Sequence, residues 1–149
     1  MTTESRLFDL FNEIGIIAQL SGTMFERVMP DGMTLAQFTV LNHFVRLGGE
    51  KSPAQLASAF QVTRGTMTST LQKLEAKRLI EMNPDPDDAR GKRVKITDMG
   101  RRMRERCIEA IGPSLSQLVG EFKGIGFETL IEPLREIRTR LDTARNENG

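Results

Sequence analysis

The chain has 149 residues, 38% of them hydrophobic and 28% charged, with a net charge of only +1. That length and balance suit one compact domain, and they exclude an intrinsically disordered chain as well as one whose overall charge alone would hold a polyanion. The average hides a local bias: residues 60–106 carry 12 Lys and Arg against 7 Asp and Glu, whereas residues 1–59 carry 4 against 6 and residues 107–149 carry 5 against 7. Positive charge is concentrated in the middle third, as a local polyanion-facing surface requires. The single cysteine, Cys107, excludes an internal disulfide framework and fits a reducing cytoplasm. The N-terminus shows neither a basic start nor a small-residue cleavage pattern, and the longest apolar run, IGIIAQL, is too short to span a bilayer. A soluble, unprocessed chain without a membrane partner is expected.

In the first 29 residues Leu7, Leu10, Phe11, Ile14, Ile17, Leu20, Met24, Phe25 and Val28 recur at steps of three and four, the period of one helical face. Phe8, Ile16 and Met29 lie outside that row, so the apolar stripe is wider than one small core needs. The PDG at 30–32 ends this helix. A second begins at Thr34, where Thr34 and Gln37 make a capping box ahead of a stripe of Phe38, Leu41 and Val45, and it stops near Gly48 and Gly49. Ser52 as cap, Pro53 at the first helical position and Gln55 closing the box open a short third helix.

Thr63 caps a fourth helix in which Met67, Leu71 and Leu74 share one side, leaving Gly65, Thr68, Ser69, Gln72 and Lys73 around the other. Two helices joined by about three residues, the second with a buried stripe and a face of hydroxyls, amide and amine, form the helix-turn-helix pattern. A helix entering the major groove must keep its outward side chains short and able to donate and accept hydrogen bonds. Residues 79–82 and 94–96 then read as two short strands. Between them the prolines, aspartates and glycine of NPDPDDARGKR are expected to form a long charged tip that continues neither strand. A helix-turn-helix followed by a basic hairpin is a winged helix, in which Arg90, Lys92 and Arg93 supply cations to the minor groove or backbone.

After Thr97 as cap, helical spacing resumes through Met99, Met103, Cys107, Ala110 and Ile111. Its first turns carry Arg101, Arg102, Arg104 and Arg106, either as a solvated face or as a second phosphate-contacting surface. Gly112 and Pro113 are expected to bend or interrupt this helix before Leu115, Leu118, Val119 and Phe122. A last helix over residues 127–144 aligns Leu130, Leu134, Ile137 and Leu141, with Pro133 kinking its start.

The stretches MTLAQFTVLNHF at 33–44, QLASAFQVTRGTMTSTLQKLEAKRLIE at 55–81 and DPDDARGKRVKITDMG at 85–100 resemble the MarR family of bacterial transcription regulators. The resemblance covers most of residues 33–100, and the recognition helix, D-x-R wing and following T-x-x-G are its specific parts. It implies a mainly α fold with a small β-hairpin wing: a winged helix-turn-helix at 33–100, dimerisation helices at 5–32 and 113–146, and a connecting helix at 98–112, all in one domain spanning residues 1–149. By position it assigns Thr63, Arg64, Gly65, Thr66, Thr68, Ser69, Gln72 and Lys73 to the major groove. Arg90 becomes the minor-groove arginine, flanked by Lys92 and Arg93, and Asp88 the residue that holds Arg90 in pose by an orienting ion pair. Two positions depart from the family pattern: the turn glycine before the recognition helix is Gln61, and Ser69 stands where many members carry a base-reading arginine.

The function implied is a sequence-specific, double-stranded DNA-binding homodimer on a pseudo-palindromic operator with half-sites about one helical turn apart. It acts as a repressor rather than an activator, released by a small-molecule effector that changes the spacing of its two lobes. Met24, Phe25, His43 and Arg46 are candidate effector contacts where the first, second and fifth helices meet. Three other classes compete. An enzyme is disfavoured by one histidine, one cysteine and no phosphate loop, hydrolase elbow or paired carboxylates. A metal site or other cofactor is not expected, since His43 and Cys107 alone are a poor ligand set. The third alternative is a helical dimer acting through protein–protein contacts, or as a thiol-based redox sensor at Cys107.

Overall fold

Side-chain caps set the helix starts. Thr34 and Ser52 each accept a hydrogen bond from the backbone of the residue three positions on, while Gln37 and Gln55 reach back to the cap's own N–H. The structure, a computed structural model, describes residues 1–148. It separates into two compact units, Met1–Ile111 and the segment from Gly112 onward.

The first unit contains α1 (Thr3–Val28), a 3₁₀ turn at Pro30–Gly32, α2 (Leu35–Leu47), α3 (Pro53–Phe60), α4 (Arg64–Ala76), β1 (Ile80–Asp85) and β2 (Asp88–Ile96), followed by the start of α5 (Asp98–Glu121). Its core gathers Val40, Leu41 and Phe44 of α2, Leu56 of α3, Leu71 and Leu74 of α4, Leu79, Ile80 and Val94 around the strands, and Cys107 of α5. Each such leucine stabilises the fold by about 1.5–3 kcal/mol through removal from water. Helix α1 contributes mainly from its C-terminal end, where Gly22 is buried so closely that a Cβ there would lie 2.7 Å from Leu35 Cδ2. Leu7, Phe8, Leu10, Phe11, Ile16, Ile17 and Leu20 are exposed.

Four expectations change. The buried side of α2 is Gln37, Val40, Leu41 and Phe44, with Phe38 half-buried and Val45 turned outward. The strands run on through the segment expected to be tip: Pro84 pairs opposite Lys92, and only Pro86 and Asp87 lie between the strands. A two-stranded ribbon tolerates Pro84 because a proline can sit at a ladder edge where no N–H is needed. Helix α5 passes through Pro113 without a break. Gly112 precedes that proline and has no Cβ for the ring to meet, which relieves the usual clash with the preceding residue. Pro133 falls in the first turn of α6 (Ile131–Glu147), where N–H groups have no intrahelical acceptor, and a 3₁₀ turn at Phe127–Leu130 replaces the expected kinked start.

In the second unit, α6 buries no residue, and Leu130, Ile131, Leu134 and Leu141 are exposed, as are Leu115, Val119 and Phe122 on the preceding segment.

Candidate nucleic-acid interface

The turn between α3 and α4 is made without glycine. Gln61 takes a left-handed conformation (φ 54°, ψ 43°) and its Nε2 donates to the Ser58 carbonyl at 2.8 Å. A non-glycine residue in this region carries a backbone cost of about 1 kcal/mol or more, partly offset here by that local hydrogen bond. Thr63 then caps α4: its Oγ1 accepts from the Thr66 N–H at 3.1 Å and donates to Thr66 Oγ1 at 3.0 Å. Both hydroxyls are engaged in holding the helix start, so their first task is to set its direction.

Met67, Leu71 and Leu74 are buried as expected, which fixes the opposite face outward. Arg64, Gly65, Thr68, Ser69, Gln72 and Lys73 are all exposed along it. At the far end Arg78 adopts φ 61°, and its N–H donates to the Glu75 carbonyl at 2.9 Å, ending the helix and turning the chain into β1.

The wing is shaped by its aspartates. Asp85 Oδ1 accepts from the Asp87 N–H at 2.9 Å, and Asp88 Oδ1 accepts from the Arg90 N–H at 3.0 Å. Arg93 pairs with Asp85 at 3.4 Å and Asp87 at 3.3 Å. The register steps from Pro84↔Lys92 to Asp85↔Asp88, leaving Ala89, Arg90 and Gly91 with no residue opposite. A bulge of this kind bends the strand and re-aims its side chains. Two assignments therefore shift. Asp88 fixes the Arg90 backbone rather than forming the expected ion pair with its guanidinium, and Arg93 is committed within the wing by two carboxylates. Arg64, Lys73, Arg90 and Lys92 form no ion pair among the described residues.

Two features that tie this surface to the core escaped the sequence reading. Lys51, in the loop before α3, bridges to Val94 of β2 through both main-chain hydrogen bonds, 3.0 and 2.7 Å, so the wing is joined to the α2–α3 connection. Alternation of Val94 and Ile96 in β2 shows that one strand face is buried, but nothing in the loop sequence marks its partner. The second is the clamp that the T-x-x-G motif makes to the end of α4, beyond the Thr97 cap that was expected. Thr97 donates from N–H to the Leu79 carbonyl at 3.1 Å and from Oγ1 to the Arg78 carbonyl at 2.8 Å, and accepts from the Gly100 N–H at 3.0 Å. One threonine caps α5 and clamps it to the end of α4.

Of the α5 arginines, Arg104 donates from Nε and Nη2 to Asn42 Oδ1 at 3.2 and 3.1 Å, and Arg106 donates to Asp31 at 2.8 Å. Those two are structural, while Arg101 and Arg102 are exposed. The four expected effector contacts are dispersed in environment. Met24 and Phe25 are half-buried, Phe25 against the core; Arg46 is exposed; and the half-buried His43 ring lies 5.1 Å from that of Phe60 on α3. Burial lowers the His43 pKa below its usual value, assisted by Arg46 and Lys51. Clefts open elsewhere on this unit, one lined by Phe44, Val45 and Gly48 of α2 with Arg101, Arg102 and Glu105 of α5 among others. Cys107 is fully buried, and burial pushes its thiol pKa up. Among the described residues no group of three His, Cys, Asp or Glu side chains converges as a metal site would.

Residues 31–91 match the model of the MarR family. The multiple antibiotic resistance protein MarR of Escherichia coli K12 is 33% identical over 117 residues, spanning 73% of this chain and 81% of that protein, and its Salmonella typhimurium counterpart is 34% identical over the same lengths. Among solved structures, the transcriptional regulator BldR from Sulfolobus solfataricus superposes with a TM-score of 0.77 at 25% identity, covering 94% of this chain and 99% of that one. A cysteine-to-serine variant of MarR from E. coli, complexed with operator DNA, gives 0.68 at 27% identity, covering 92% and 99%. With a helix-turn-helix, a bulged wing and relatives of this identity and coverage, the chain belongs to the MarR family of winged-helix transcriptional regulators.

Proposed function

We propose that this chain is a homodimeric, sequence-specific binder of double-stranded DNA that represses transcription and is released by a small-molecule effector. The observation that carries the reading is the division of labour among the cations: Arg64 and Lys73 on α4 and Arg90 and Lys92 on the wing are exposed and form no ion pair among the described residues, while Arg93, Arg104 and Arg106 serve the fold. Uncommitted cations beside a short, hydroxyl-rich helix face supply phosphate contacts and base-edge readout from one surface. The MarR relative solved in complex with operator DNA supports the DNA-binding reading.

The exposed apolar residues of α1, such as Phe8 and Leu20, and separately those of the second unit, such as Leu141, are the proposed dimer surfaces, because each segment leaves more large apolar side chains in water than a monomer needs to. Two copies place two α4 helices on half-sites of a pseudo-palindrome about 10 base pairs apart. The site of action is the cytoplasm, where DNA and a lone reduced thiol coexist. A redox mechanism at Cys107 is disfavoured by its burial and raised pKa, since the thiolate is the reactive form. Selection of bound fragments from the host genome tests the reading: enrichment of short two-fold sequences upstream of genes supports it, and recovery of random fragments contradicts it.

A further inference from the structure

Met67, Leu71 and Leu74 hold α4 to the core, but apolar burial is non-directional and sets the depth of a helix more firmly than its roll about its own axis. The hydroxyls of Thr63, Thr66 and Thr70 bond within the helix and its cap, so they do not place it against another element. Lys77 reaches a second helix. It is the C-cap of α4, half-buried at the flank of the apolar stripe, and its Nζ donates to Gln37 Oε1 on α2 at 2.9 Å, with Met33 Sδ at 3.8 Å. It forms no ion pair among the described residues, so the amide oxygen is its principal partner.

Gln37 is the one buried polar side chain among the described residues, 3% exposed, and its Oε1 also accepts from the Thr34 N–H at 3.4 Å in the box that starts α2. Without Lys77 that buried oxygen would keep only the longer of its two hydrogen bonds, so the contact favours one placement of the α4 end. The start of α2 is in turn fastened to α1. Glu26 Oε2 accepts from the Leu35 N–H at 3.1 Å, and Leu35 Cδ2 lies against Gly22, where a Cβ would stand only 2.7 Å away. A continuous set of contacts therefore runs from α1 through the first turn of α2 to the end of α4.

We propose that Lys77 is a positioning residue for sequence recognition: by fixing the end of α4 to Gln37, it sets the roll of the helix and hence which outward side chains meet base edges. Lys77 acts through Thr68, Ser69 and Gln72. A short side chain reading a base edge must be held to about 0.5 Å and about 10–20°. A lysine or arginine on its flexible stem follows a phosphate over a longer reach. Releasing the end of α4 therefore removes sequence preference and leaves general affinity for DNA in place. The role rests on the DNA-binding reading of α4.

The test measures the full-length protein by fluorescence anisotropy on a fragment selected from the host genome and on a random-sequence duplex of equal length. Lys77→Met, which keeps the apolar stem and removes the donor, is expected to weaken binding to the selected fragment about tenfold and to the random duplex by less than about twofold. The slope of log K against log salt on the selected fragment should stay at the wild-type value, because no phosphate contact is removed. Gln37→Met, which removes the acceptor, should give the same loss, and the double variant no more than either single one. Circular dichroism melts fix an assay temperature at which the variants are folded; if Gln37→Met is not folded there, Lys77→Met alone decides. An equal loss on both duplexes, or a slope shallower by about 2, makes Lys77 a phosphate contact and overturns the proposal. Unchanged affinity with a lowered Tm makes it a stabilising residue only and overturns it too, as do losses that add in the double variant. A wild type with no preference for the selected fragment contradicts the DNA-binding reading before any variant is compared.

Discussion

Gly100→Ala probes the clamp that places the wing. An added Cβ would stand 2.1 Å from the Leu79 carbonyl oxygen and 2.7 Å from Ile96 Cγ1, and the first of these is main chain that cannot rotate away. Either α5 or the start of β1 must move, which threatens the hydrogen bond from Thr97 N–H to that same carbonyl. Overpacking of this kind costs about 1–3 kcal/mol, and the strained hydrogen bond about 1 kcal/mol more. Alanine's better helix propensity returns about 1 kcal/mol. The net loss is about 1–3 kcal/mol, or roughly 2–12 °C in Tm for a chain of this length. Thermal melts at one fixed protein concentration measure it, because a dimer's Tm depends on concentration. Gly120→Ala, on the same helix with nothing within 4 Å of the added Cβ, is the control and should leave stability unchanged or raise it. A Gly100→Ala protein as stable as the wild type would refute the close-approach argument.

Leu71→Ala removes a side chain that is 1% exposed, and should cost about 2–5 kcal/mol and lose DNA binding with stability, as read by urea titration and gel shift. Gln61→Gly relieves the left-handed strain at the turn and should raise stability by about 0.5–1 kcal/mol despite the lost bond to Ser58; a fall in the urea midpoint would count against strain there. His43 has a folded-state pKa below its unfolded value near 6.5, so the unfolded chain takes up the proton first. Its contribution to stability is therefore present above about pH 6.5 and lost as pH falls from there through the lowered pKa. His43→Gln should flatten that part of the stability–pH curve, and an unaltered slope would show that other groups govern it.

What was legible in the sequence is what local chemistry fixes. Thr34, Ser52 and Thr63 announce their helices because a hydroxyl before a helical run has one good use, and Met67, Leu71 and Leu74 are spaced so that only one face can be buried. The wing's existence was legible, but its extent was not. Pro84, Asp85 and Gly91 disfavour a strand in general, yet an exposed two-stranded ribbon penalises them little, and three aspartates stabilise the bulge by accepting hydrogen bonds that no periodicity reveals. Continuity of α5 depended on a Gly-Pro pair whose two residues are each read as breakers when taken alone. The candidate site was legible as a set of cations in the right segments. Which of them are free was not, because Arg93 is paired by strand register and Arg104 by Asn42, 62 residues away in sequence.

The most direct test of the account is the salt dependence of DNA binding by the wild type and by Arg90→Ala, measured by fluorescence anisotropy on a selected fragment. If Arg64, Lys73, Arg90 and Lys92 of both protomers each displace a counterion, log K falls against log salt with a slope of about −7. Losing Arg90 from each protomer should make that slope shallower by about 2 and weaken binding, with little change in Tm, since it pairs with no carboxylate among the described residues. A complex insensitive to salt, or an Arg90→Ala protein with the wild-type slope and affinity, would contradict the assignment of α4 and the wing to DNA.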